Sequence, residues 1–193
     1  MTIVRIATTA AGALALAVAL TAAGSMRVHA RAYPYGAPPG TTGGYGEPNC
    51  QMCHFGGGLN DPAGALMIEG LPEQYTPGQA YRLIVRLRRP QMAAAGFQLS
   101  IRTAAGAQAG TLATDSAARV QVQTSHSIQY AGHTESGSRV PTPGAAEWPL
   151  LWTAPAAASG PLTLSAAANA ADGDNSPLGD WVYAREGMTA PPQ

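Results

Sequence analysis

Lysine is missing from all 193 residues, and the eleven basic side chains, every one an arginine, are matched by eleven acids. With no net positive charge and no basic cluster, the electrostatic footprint of a nucleic-acid-binding protein is lacking, so no nucleic-acid partner is expected. Long amphipathic helical patterns are absent, which excludes a helical bundle, and no internal repeat points to a solenoid. An oriented hydrolytic triad is also missing. Ser125 and His126 are adjacent in sequence, and adjacency is not the geometry that nucleophilic catalysis uses. Hydrophobic runs are short except for one, Ile6 to Ala23, at the N-terminus.

That run follows Arg5 and precedes Val28-His29-Ala30, a small-residue cleavage pattern before Arg31. Charged start, apolar stretch and small-residue site together read as a secretory signal peptide over residues 1–30. The run is rich in Ala, Thr and Gly, a poor composition for a permanent span. The mature chain is therefore expected in the periplasm or outside the cell, with no stable transmembrane segment after cleavage. About 160 residues remain, the size of one domain.

Cysteine is scarce too, and both copies fall in Cys50-Gln51-Met52-Cys53-His54. This is the C-x-x-C-H spacing of covalent c-type haem attachment. Two thiols three positions apart can each add to a vinyl group of one porphyrin, and the adjacent imidazole can then serve as axial iron ligand. Chance alone produces the pattern in roughly one chain in a thousand of this composition. The other readings are a short-loop disulfide between Cys50 and Cys53, a zinc site needing two further ligands, and a redox-active dithiol. The haem reading assigns Cys50 and Cys53 to covalent attachment of haem c and His54 to the proximal iron position. Ligands for the sixth position would come from His126, His133, Met52, Met67, Met92 or Met188, and His133 is preferred.

The rest of the chain is patterned for strands. Residues 31–64 are rich in Gly and Pro, without periodicity, and read as an irregular segment carrying the cysteine motif. From Ala65 to Glu186 the pattern is all-β. Tyr81, Leu83, Val85 and Leu87 alternate with Arg82, Arg86 and Arg88, and Phe97, Leu99 and Ile101 alternate with Gln98, Ser100 and Arg102. Such period-two alternation marks half-buried strands, and these two are expected to pair or neighbour each other. Further strands are predicted over 119–123, 127–131, 147–153, 161–168 and 181–185. Seven or more short strands separated by turns give a β-sandwich. Trp148, Trp152 and Trp181 are assigned to its core, as is Met67. The arginine face is read as solvated. Asp172, Asp174, Asn175 and Asp180 form an acidic cluster, which fits turn chemistry better than a complete calcium loop. Residues 187–193 read as a disordered tail.

Taken in order, the blocks Gly36-Ala37-Pro38, Gly46-Glu47, Cys50-x-x-Cys53-His54, Tyr75-Thr76-Pro77-Gly78-Gln79-x-Tyr81, Gly96-Phe97-Gln98-Leu99, Tyr130-x-x-His133-Thr134, Trp152-Thr153-Ala154-Pro155 and Ala168-Asn169-Ala170-Ala171-Asp172-Gly173 resemble the bacterial reeler-like domains, also called choice-of-anchor type V domains. The resemblance runs from about Gly36 to Tyr183. It implies an immunoglobulin-like β-sandwich and an exported or surface location. Two functions follow as expectations. One is an exported monohaem c-type protein serving electron transfer or redox and ligand sensing, with a redox partner protein of unknown identity. The other is an extracytoplasmic protein- or glycan-binding or adhesion module with a Cys50–Cys53 disulfide and no haem. Either is an electron carrier or binding protein rather than an enzyme.

Overall fold

The computed structural model describes residues 33–115 and 118–192. The export signal expected over residues 1–30 lies outside the described residues. Ten strands form two sheets: β1 (Phe55–Gly56), β2 (Ala65–Glu69), β3 (Ala80–Arg88), β4 (Ala94–Thr103), β5 (Thr111–Thr114), β6 (Val120–Ser125), β7 (Ile128–His133), β8 (Ala145–Thr153), β9 (Leu162–Ala171) and β10 (Leu178–Thr189). One sheet has the order β1-β10-β9-β4-β7-β6 and the other β2-β3-β8-β5. The described residues form an all-β sandwich of two sheets, as the alternating pattern predicts, of the immunoglobulin-like kind that the resemblance implies.

The alternation in β3 directs Leu83, Val85 and Leu87 inward, fully buried. On the opposite face Arg82 and Arg88 are exposed as expected, Arg82 paired with Asp115, whereas Arg86 is only partly exposed and pairs with Glu69 and Glu147. Strand β8 repeats the pattern with Trp148, Leu150 and Trp152 inside. Its register sets Val85 against Trp148 and Tyr81 against Trp152, whose rings stack with centroids 5.6 Å apart. Across the sandwich the Phe97 ring packs 4.7 Å from Trp148. Such aromatic pairs add about 0.5–1.5 kcal/mol each beyond the area they bury.

Four expectations need correction. Strands β3 and β4 are not neighbours: β3 pairs with β2 and β8, whereas β4 pairs with β7 and β9 in the facing sheet. Their apolar faces both turn into the core between the two sheets, which is why both carry the same alternation. Met67 is only half-buried on the outer face of β2, opposite Arg86, while Leu66 is the core residue there. Trp181 is likewise only partly buried, at the margin of the core, with the Arg89 guanidinium 3.8 Å above its ring. The segment expected as a disordered tail is ordered through most of its length. Gly187, Met188 and Thr189 continue β10 against Leu164, Thr163 and Leu162, and Ala190 accepts a bond from the Tyr75 amide and donates to the Glu73 carbonyl.

Strand β4 differs from the half-exposed strand its sequence predicts, because its polar face is buried as well. The N-terminal segment from Tyr33 to Glu47 lies across it. Gln98 accepts hydrogen bonds from the Gly40 amide (2.9 Å), the Thr41 amide (2.7 Å) and the Thr41 hydroxyl (3.1 Å), and donates to the carbonyls of Ala37 (3.2 Å) and Pro38 (2.9 Å). Arg102 pairs with Glu47 and donates to the Tyr130 hydroxyl at 2.8 Å. Burying polar side chains is costly without such partners. They hold the glycine- and proline-rich segment to the sheet and so fix where the cysteine motif arrives.

Candidate functional site

The cysteine motif was expected on irregular chain, but it forms one helical turn. Residues Cys50–Met52 are a 3-10 helix, capped by the Asn49 side chain, which accepts from the Gln51 amide at 2.8 Å. The Cys53 and His54 amides both donate to the Cys50 carbonyl, at 3.2 and 3.0 Å. Positions three and four apart on a helical turn share a face. Cys50, Cys53 and His54 are thereby brought to one side of the turn. Immediately afterwards the chain pairs parallel to β10, with Phe55 beside Leu178 and Gly56 beside Asp180, and the Phe55 amide donates to the Pro177 carbonyl at 2.6 Å. A Cβ on Gly56 would lie 1.9 Å from the Asp180 carbonyl oxygen, so the approach of the two strands requires glycine here.

The turn forms one wall of an open cleft at the end of the six-stranded sheet. Cys50, Met52, Cys53 and His54 line this wall. Ala95, Gly96 and Phe97 of β4, with Asn169 of β9 and Asp180 of β10, supply the floor. Tyr33, Pro34 and Pro38 of the N-terminal segment close the far side, together with His133 at the end of β7. The surroundings are predominantly apolar, and Met52, Phe55 and Leu178 are exposed around the motif.

Both cysteines are free thiols. Burial pushes the Cys50 thiol up to about 12. A nucleophilic redox cysteine has its thiol lowered instead, so the dithiol reading finds no support in this environment. His54 Nδ1 lies 2.5 Å from Asp180 Oδ2, on a side chain that is 1% exposed. Asn169 Nδ2 lies 3.1 Å from the same oxygen and 3.0 Å from His54 Nδ1. A carboxylate only accepts, so Nδ1 carries the ring proton and Asn169 donates alongside it. The lone pair of the imidazole is left on Nε2. Asp180 Oδ1 and Asn169 Oδ1 are buried without partners.

His133 reaches the same cleft from the other side. Its Nδ1 accepts from the Phe97 amide at 3.1 Å, its Nε2 lies 3.1 Å from the Tyr33 carbonyl, and its ring packs against Gly96. Burial, opposed by these backbone bonds, holds the imidazole below its ordinary value. Both ring nitrogens are occupied in this arrangement. Of the other candidates for a sixth ligand, Met52 lines the same wall as His54, and the rest are elsewhere. His126 is exposed at the β6–β7 turn with φ 47°, bonded to Ser125 Oγ at 3.1 Å. Met92 is in the core and Met188 is exposed on β10.

The acidic cluster separates into two parts. Asp172 accepts the Asp174 amide, Asp174 accepts the Ser176 amide, and the Ser176 hydroxyl accepts the Leu178 amide, so these side chains shape a turn. Asp180 belongs to β10 and turns to His54. No group of three or more His, Cys, Asp or Glu side chains able to hold a metal ion occurs among the described residues. No helix among them is long and apolar enough to cross a membrane.

The residues present fit a covalently attached haem on the motif side: two free thiols and an imidazole on one helical turn, an apolar cleft, and a ring whose Nδ1 is engaged while Nε2 is free. Sequence reasoning missed Asp180 and Asn169 as partners of His54, since 126 and 115 residues separate them from it.

No protein-family model matches the chain, and no curated protein does. Among solved structures the chain is similar to the Reelin-N domain of F-spondin, at 18% identity and a TM-score of 0.49 over 75% of this chain and 96% of that one. It is similar to the human F-spondin reeler domain at 19% identity and a TM-score of 0.46, covering 67% and 89%. A cohesin module from a Clostridium perfringens family 33 glycoside hydrolase follows at 13% identity and a TM-score of 0.42, covering 66% and 96%.

Proposed function

We propose that this chain is an exported monohaem c-type protein on an immunoglobulin-like scaffold, which carries electrons or senses redox state or a small ligand outside the cytoplasm. The observation that carries this reading is the helical turn that sets Cys50, Cys53 and His54 on one side of an apolar cleft, with His54 tied through Nδ1 to buried Asp180. Cys50 and Cys53 would hold the haem and His54 its iron; when bound, that group supplies one-electron chemistry or a site for a small ligand. The chain's own residues orient the imidazole, exclude water through Phe97 and the prolines, and present exposed Met52, Phe55 and Leu178 as an apolar rim for a redox partner. His133 lines the same cleft and would become available to the bound group once its Nε2 leaves the Tyr33 carbonyl.

The test is expression with its export signal in a host that has haem-attachment machinery. The expected product is coloured, with a Soret band and a haem-sized mass increment that survive denaturation. Cys50→Ala and Cys53→Ala each weaken or abolish attachment, and His54→Ala alters the iron spectrum. A colourless product whose two sulfurs are joined to each other would overturn the proposal and favour the binding module, for which the same apolar rim would be the contact surface.

A further inference from the structure

Asp180 is unusual in being a carboxylate at 1% exposure that has one oxygen without a partner and, among the described residues, His54 as its sole ion-pair partner. No arginine neutralises it, although Arg89 and Arg102 neutralise other partly buried acids in this fold. Burying a carboxylate in this way is costly unless positive charge reaches it. The path by which charge can reach it is the imidazole of His54. Second-shell acceptors of this kind fix a ligand histidine's tautomer and ring orientation and raise its basicity.

We propose that Asp180, steadied by Asn169, is the positioning residue for His54: it selects the Nδ1–H tautomer, turns Nε2 to the cleft as iron ligand, and lowers the reduction potential of the bound haem. This rests on the haem reading above. The sign follows from charge. A carboxylate accepting from Nδ1–H makes the imidazole a stronger donor, which favours the higher oxidation state of the iron. The placement follows from the fold, because β1 pairs in parallel with β10 so that Gly56 lies beside Asp180, and His54 is two residues before Gly56.

The experiment is a redox titration of the purified holoprotein and its Asp180→Asn and Asp180→Glu variants, each first shown to retain covalent haem by mass and absorbance. Asp180→Asn keeps the shape and removes the charge. It is expected to raise the ratio of reduced to oxidised haem at fixed poise at least about tenfold, a shift of ~59 mV for a one-electron couple. Asp180→Glu is expected to return most of the way to wild type. A haem-loaded Asp180→Asn protein that titrates with the wild type overturns the inference while leaving the haem reading intact. A wild-type chain that takes up no haem overturns both. Should Asp180→Asn fail to fold, NMR of the reduced wild-type holoprotein decides. A His54 Nδ1 proton that exchanges slowly with solvent supports the contact, and one that exchanges at the rate of a free imidazole refutes it.

Discussion

Replacing Gln98 by leucine tests whether the N-terminal segment is held by one side chain. The volume of the residue is nearly kept, but five hydrogen bonds are lost: three accepted from Gly40 and Thr41, and two donated to Ala37 and Pro38. The Thr41 hydroxyl retains a bond to the Pro38 carbonyl at 3.2 Å, so two backbone N–H groups are left as the unpartnered donors. A buried unsatisfied donor costs about 1–3 kcal/mol, which gives about 2–6 kcal/mol if the segment remains docked. Water can satisfy both groups if the segment lifts off the sheet, so the loss is capped by the free energy of docking. The expected result is a destabilisation of about 2–4 kcal/mol in denaturant unfolding, with faster hydrogen exchange at Gly40 and Thr41 before global unfolding. Because Pro38 and Thr41 also line the cleft, the proposed haem attachment should fall with it. A loss under about 0.5 kcal/mol, the range of an unremarkable surface change, with unchanged exchange at both amides would refute the reasoning.

The other predictions concern the same cleft and its anchors. Burial pushes the Glu47 carboxyl up, but hydrogen bonds from Thr42, Tyr130 and Arg102 and the charge of Arg102 outweigh it and hold the group below its ordinary value of 4.5. Its contribution is therefore complete above the unfolded value and is lost as pH falls through the lower folded value. Glu47→Gln should flatten the stability curve below pH 4.5, measured by urea unfolding across pH, and an unchanged acid slope would count against the pairing. Gly56→Ala should cost more than Gly57→Ala. Its Cβ would meet the Asp180 backbone at 1.9 Å, whereas at Gly57 it meets the movable Trp181 side chain at 2.6 Å. Overpacking of this kind costs about 1–3 kcal/mol, and equal melting temperatures for the two variants would contradict the strand contact. His133→Ala in the haem-loaded protein should change the low-spin absorption and magnetic signals if His133 supplies the sixth ligand; an unaltered low-spin spectrum would remove it from that role.

The sandwich was legible because the two faces of β3 and β8 meet different surroundings, and period two records that difference directly in Leu83, Val85 and Leu87 against Arg82, Arg86 and Arg88. What alternation does not record is the nature of the covering layer. Gln98, Ser100 and Arg102 would look the same facing water or facing another segment of chain, so β4 read as half-exposed although both its faces are covered. Short edge strands left almost no signal. In β1 two residues pair only because Gly56 lets the backbone approach Asp180. At the other end, Gly187 suggested a free tail, yet the backbone of β9 supplied partners through Thr189.

The site divides along the same physical line. Cys50, Cys53 and His54 are read from five consecutive residues because a helical turn brings positions three and four apart to one side, and that turn needs only the Asn49 cap and the Cys50 carbonyl. The group that orients the imidazole comes from the opposite end of the chain, and nothing near Asp180 in sequence distinguishes it from Asp172 or Asp174. Those two accept backbone amides two residues on and are spent on the turn. Asp180 lies past Gly179, whose φ of 85° suits glycine, and inside a strand where no local amide is left to take. Its carboxylate must find a partner across the sheet edge, and the histidine delivered by β1 is the one within reach. The contact is thus a consequence of topology: any change that uncouples β1 from β10 should release His54 and Asp180 together, even when every residue of the cysteine motif is intact.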